Sequence, residues 1–109
     1  MKFGTKVIHS GLETDPSTGA IITPIYQTST YVQKSPGNNL GFEYSRTKNP
    51  TRSALEKSIA AIENGNFAIC YSSGMGAADA IIKLLKPGDK VISNNDIYGG
   101  TYRMFEKIF

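Results

Sequence analysis

The stretch NPTRSALEKSIAAIENGNFAICYSSGMGAADAIIKLLKPGDKVIS, residues 49–93, decides the fold class. Asn49-Pro50 is a helix start: Asn is a good N-cap, and proline suits the first helical position because the N–H it lacks would have no partner there. Leu55, Ile59 and Ile62 follow at i, i+4 and i+7, which predicts a helix with one apolar face and a stop at Gly65. Phe67–Tyr71 (FAICY) has the length and apolar character of a strand, and Ser72–Gly76 (SSGMG) reads as a turn. A helical pattern then runs over residues 77–86 through Ala80, Ile81, Leu84 and Leu85, closed by Pro87-Gly88. Lys90–Ser93 predicts a second strand, residues 94–100 a loop, and residues 101–109 the opening of a third helix. Helix, strand, helix, strand, helix is the cadence of an α/β sheet domain.

Working outward, residues 1–49 are broken by Gly4, Gly11, Pro16, Gly19, Pro24, Pro36, Gly37 and Gly41. They read as an extended, turn-rich arm without a core of its own, expected to lie against the second half or another subunit. The domains expected are therefore an arm, 1–49, and the start of an α/β domain, 50–109. With 109 residues and 39% apolar content, the chain can form one core and no more. Two strands make a poor sheet, and the pattern Tyr102, Phe105, Ile108, Phe109 reaches the last residue without a stop signal, so the chain reads as the front part of a larger α/β protein.

Composition excludes several function classes. Twelve basic against nine acidic residues give a net charge of +3, but the lysines are scattered without a basic cluster, which argues against nucleic acid. No apolar run is long enough for a membrane span, and no signal-peptide core follows the first lysines. The lone Cys70 excludes a disulfide framework and, with a single histidine, a zinc-finger ligand set; no metal site and a reducing, cytoplasmic setting are expected. His9 is taken as structural.

Three segments carry chemistry. Ser73, Gly74 and Met75 lie where a strand gives way to a helix, and a helix N-terminus offers unpaired N–H groups and a positive dipole end to an anion such as phosphate. The same residues also suit a small-residue turn that packs a helix close to its strand. Tyr44 and Arg46, two apart in an extended segment, share one face, with a guanidinium fork and a phenol for the same anion. As a bare pattern, a surface Tyr and a surface Arg in a loop fit better than an anion site. Tyr98 stands before Gly99-Gly100 in a loop that would follow a strand, where it could stack on a planar ring, exchange a proton with a substrate, or pack under a turn.

Taken together, GFEYSRTKNPTR (41–52), YSSGMGA (71–77) and NDIYGGTYR (95–103), with TKVIHSG and ITPIYQTSTY in the arm, resemble the pyridoxal-phosphate-dependent transsulfuration family of cysteine and methionine metabolism, most of all its cystathionine γ-lyase and γ-synthase branch. The resemblance implies a fold-type I enzyme with pyridoxal 5'-phosphate as cofactor and a sulfur amino acid as substrate, acting at the Cγ–S bond by elimination or replacement. It implies that Gly74, Met75 and Ser73 hold the cofactor phosphate and that Tyr98 stacks on its ring and assists proton transfer. Tyr44 and Arg46 would reach the phosphate in the neighbouring subunit of a homo-oligomer, a dimer of active sites assembled as a tetramer at full length. Asn49 and Pro50 stay structural. The lysine that holds this cofactor and the acid that pairs its ring nitrogen have no matching position here, so the 109 residues alone are expected to be catalytically silent, a fragment or dimerisation piece.

Overall fold

A computed structural model describes residues 1–109 as four helices: α1 (Phe3–His9), α2 (Pro50–Ile62), α3 (Gly74–Ile82) and α4 (Gly99–Lys107). They belong to two compact units, Met1–Cys70 and Tyr71–Phe109. The composition shifts at Asn49, but α2 packs with the arm, and the units divide after Cys70.

The first unit is organised by the start of α2. Asn49 Oδ1 accepts the Thr51 N–H at 2.9 Å and the Arg52 N–H at 3.4 Å, which satisfies two donors that a helix leaves open. Its Nδ2 donates to the Tyr26 carbonyl at 2.9 Å and the Ser45 hydroxyl at 3.0 Å. Thr51 Oγ1 donates to the Pro24 carbonyl and accepts the Tyr26 N–H, both at 2.9 Å. The cap thereby pins the arm at two places that lie far apart in sequence.

Around it the arm makes a loose antiparallel turnback, with a bridge between Thr30 and Tyr44 and a tip bridge between Ser35 and Asn38. A second anchor is the buried Asp15. Its Oδ1 accepts the N–H and hydroxyl of both Ser17 and Thr18, and its Oδ2 accepts the Tyr26 hydroxyl at 2.7 Å. Tyr26 is thus held at its side chain, its N–H and its carbonyl. Gly11 (φ 77°) is the third: a Cβ there would lie 2.4 Å from the Ser58 nitrogen, so only glycine lets the arm approach α2 this closely.

The sequence reading needs five corrections, one being that α4 begins at Gly99 and not at residue 101. The arm opens with a helix, α1, which has no side-chain cap and stands by packing on α2, helped by Lys6 Nζ donating to Asn64 Oδ1 at 2.7 Å. Helix α2 ends at Ile62, and its left-handed closing residue is Asn64 (φ 55°), one before the predicted glycine stop, while the Gly65 N–H returns to the Ala60 carbonyl at 2.8 Å as a Schellman closure. Helix α3 begins earlier than predicted, at Gly74, because Ser73 is its cap, and the following Lys83–Leu85 winds up in short-range turns. Neither predicted strand forms a ladder; a strand needs partner backbone groups, and the flanking apolar side chains lie open, Phe67 77% and Ile92 97% exposed.

The same lack of partners governs the apolar faces. Leu55, Ile59, Ile81 and Leu84 are exposed, and burial of apolar side chains is confined to Ala60, Ile82 and Met104. No helix is long and apolar enough to cross a membrane.

Two outcomes follow for the first unit. Asn49→Ala removes the cap and strands the Tyr26 carbonyl, and should lower stability by about 1–2 kcal/mol in urea unfolding, with Asn49→Asp recovering only the cap; an unchanged midpoint for Asn49→Ala would contradict the hub. The Ser17 and Tyr26 hydroxyls hold the Asp15 carboxyl far below the usual carboxylate range, and Asp15 in turn pushes the Tyr26 phenol up. A depressed carboxylate stabilises above its unfolded pKa of about 3.9 and loses that contribution as pH falls toward the folded value. The stability advantage of the wild type over Asp15→Asn should therefore be full at neutral pH and shrink below about pH 4. A gap independent of pH would overturn this.

Candidate functional site

In the first unit, Tyr44 and Arg46 lie together, but through a turn over residues 45–47 and not through the alternation of an extended segment that the sequence predicts. Tyr44 sits in the bridge to Thr30, and the Arg46 guanidinium carbon lies 5.0 Å from the centroid of the Tyr44 ring, within cation–π range. Arg46 is exposed and has no carboxylate partner, so a free cation is held against an aromatic ring. Behind the pair the chain turns sharply: the Tyr44 carbonyl accepts the N–H groups of Thr47 (3.1 Å) and Lys48 (2.9 Å) and the Thr47 hydroxyl (2.7 Å). The Arg52 guanidinium closes this turn by donating to the carbonyls of Ser45 (3.4 Å), Arg46 (3.3 Å) and Thr47 (2.6 Å).

In the second unit, Ser73 is the N-cap of α3 in extended conformation, its Oγ accepting the Gly76 N–H at 3.1 Å. That bond uses the hydroxyl as an acceptor and leaves its O–H free to donate. The N–H groups of Gly74 and Met75, in the first turn, have no acceptor within the helix. A Cβ on Gly74 would meet no atom, so internal packing does not call for glycine there. The structure brings Met75 and Tyr98 together around Gly100: a Cβ on Gly100 would lie 2.5 Å from Tyr98 Cε1 and 3.1 Å from Met75 Sδ, and Thr101 Oγ1 donates to that sulfur at 3.7 Å. Tyr98 precedes α4 and is 72% exposed. Ser73, Gly74, Met75 and Tyr98 thus line one end of the second unit, where the first turns of α3 and α4 meet. Tyr44 and Arg46 belong to the first unit and form a pair of their own.

The sequence reading missed Asp15, Tyr26, Arg52 and Glu56. Asp15-Pro16-Ser17-Thr18 carried a usable signal, since an Asp followed by hydroxyl residues two and three on favours a side-chain-closed turn. Arg52 carried none, because its acceptors are main-chain carbonyls of a turn whose shape the sequence does not spell out.

Residues 4–109 match the family described as Cys/Met metabolism PLP-dependent enzyme, and the chain belongs to that family. It is 53% identical over 104 residues to the cystathionine beta-lyase of Coxiella burnetii, covering 95% of this chain and 27% of that protein. It is 50% identical over 106 residues to the probable cystathionine gamma-synthase of Herpetosiphon aurantiacus, covering 97% of this chain and 33% of that one. The crystal structure of cystathionine gamma-lyase from Lactobacillus plantarum complexed with L-serine superposes with a TM-score of 0.86 at 44% identity, over 99% of this chain and 28% of that structure. The chain spans about a third or less of the length of the relatives it matches.

Gly100→Ala should displace the Tyr98 ring, because ring and Cβ cannot share the same space, while changing stability by no more than about 1 kcal/mol, since alanine is the better helix former. Ring-carbon NMR shifts of Tyr98 and the thermal midpoint read both. Unmoved Tyr98 shifts would refute the close approach.

Proposed function

We propose that this chain serves as the N-terminal portion of a pyridoxal-phosphate-dependent enzyme that acts on the Cγ–S bond of cystathionine or a related sulfur amino acid, by elimination or replacement. The observation that carries the reading is the donor set. The first turn of α3 offers two open N–H groups and a free hydroxyl hydrogen, and Arg46 offers an unpaired guanidinium, which together suit a phosphate dianion.

In this reading Gly74, Met75 and Ser73 bind the cofactor phosphate within one subunit, and Tyr44 and Arg46 bind that of the neighbouring subunit. The exposure of Ile21, Ile22, Ile25, Val32 (89%) and Leu40 supports an arm made for an intersubunit surface. When bound, the cofactor supplies an electron sink for charge developing at the substrate Cα. Tyr98 would supply a ring face to orient the cofactor plane and exclude water from one side, and its hydroxyl would hold a proton for transfer to or from the substrate. The fold proposed for the whole is the α/β, fold-type I architecture, to which Phe67–Tyr71 and Lys90–Ser93 would contribute strands once partnered. The 109 residues alone are proposed to turn nothing over, acting at most as an anion-binding or dimerisation piece. A second reading, cleavage on the other side of the sulfur, is favoured by the 53% identity to a protein named cystathionine beta-lyase.

The test is an equilibrium titration of the full-length apoenzyme with pyridoxal phosphate. Arg46→Ala should weaken binding by about 1.5–3 kcal/mol, the worth of a charge-assisted pair. Unchanged affinity would remove Arg46 from the phosphate site.

A further inference from the structure

We propose that Arg52, oriented by Glu56, is a positioning residue that sets the aim of Tyr44 and Arg46; this rests on the functional reading above. Residues 44–48 form one tight turn, and in such a turn successive carbonyls point the same way, as they do at the C-terminal end of a helix. Three of them, from Ser45, Arg46 and Thr47, converge on a single guanidinium. A planar fork with five donors can serve three acceptors at once; a lysine ammonium is a point charge on a flexible stem and cannot reproduce that fan. Arg52 sits in the first turn of α2, so it ties the turn to a rigid helix.

Glu56, one turn on, fixes the guanidinium from the other side. Its Oε1 lies 3.6 Å from Arg52 Nε and also accepts the Cys70 N–H at 3.0 Å. The carboxylate is therefore held at two points, and Arg52 is left with its terminal nitrogens directed at the carbonyls. Arg46 takes part twice over: its carbonyl is bound by Arg52 while its own guanidinium, on the ring of Tyr44, stays free. A shift of the turn would move both anion-binding side chains together, without any loss of their charge or chemistry.

Two readouts in the full-length protein test this. Hydrogen exchange at the Thr47 and Lys48 amides should speed up in Arg52→Ala while the middle of α2 stays protected. The affinity of the apoenzyme for pyridoxal phosphate should fall about tenfold, with that for phosphate-free pyridoxal unchanged, as expected for losing charged hydrogen bonds that act only through the phosphate contacts. Arg52→Lys should fall between wild type and Arg52→Ala and guards against a misfolded alanine variant. Arg46→Ala combined with Arg52→Ala should bind pyridoxal phosphate more weakly than Arg46→Ala alone by less than the roughly tenfold seen for Arg52→Ala, since only the aim of Tyr44 is left to lose. Equal weakening toward both ligands, or independent additive losses, would reduce Arg52 to a general structural role and overturn the proposal, as would unaltered exchange at Thr47 and Lys48. If the wild-type protein does not bind pyridoxal phosphate, the functional reading fails, and the exchange data alone still decide whether Arg52 holds the turn.

Discussion

One side-chain amide makes the first unit a unit. Asn49 closes the N-terminus of α2 with its oxygen and, with its nitrogen, ties down the Tyr26 carbonyl and the Ser45 hydroxyl. An aspartate in its place could cap the helix but could not donate, and an alanine could do neither. From Tyr26 the constraint runs to the buried Asp15 and its ring of hydroxyl and amide donors. From Ser45 it runs to the turn that carries Tyr44 and Arg46. An arm with almost no buried apolar side chains is thus fixed by directional polar bonds, which set position closely while burying little surface.

The second unit solves a different problem, presenting backbone donors. Ser73 satisfies the N–H of Gly76, the third residue of α3, and leaves those of Gly74 and Met75 open, and Gly100 lets the ring of Tyr98 and the sulfur of Met75 come close at the same end. One unit therefore offers a fixed cation beside a phenol, the other offers helix-end amides beside an aromatic ring. In the proposed enzyme these are two sets of contacts for one phosphate, drawn from different subunits. The chain's exposed apolar stripes fit such a setting, since Ile81, Leu84 and Ile92 find no cover within either unit.

Much of this was legible in residue order because caps and turns are local. Asn49-Pro50 spelled out the start of α2, whereas Tyr44 and Arg46 meet because a turn over residues 45–47 folds one onto the other, which their two-residue spacing did not spell out. What depends on a partner was not legible. FAICY and KVIS have strand character, yet character alone makes no ladder. Helix α1 has a sequence too short and uncapped to announce itself, and exists because α2 lies beside it. Asn64 took over the role assigned to Gly65 because asparagine tolerates the left-handed conformation, which freed the glycine N–H to close the helix end. The motif triplet, by contrast, pointed to the family that the comparison of residues 4–109 established.

The most direct test of a shared site is subunit mixing in the full-length protein. Arg46→Ala chains and Gly74→Pro chains, the latter lacking one of the two open N–H groups of α3, are combined under conditions that let subunits exchange and assayed at a pyridoxal phosphate concentration too low to load either homo-oligomer. If Arg46 serves the neighbouring subunit, each mixed dimer rebuilds one intact site, and about a quarter of wild-type activity should return. If mixing restores nothing although hybrids form, Arg46 acts within its own subunit, and the two-subunit phosphate site is wrong.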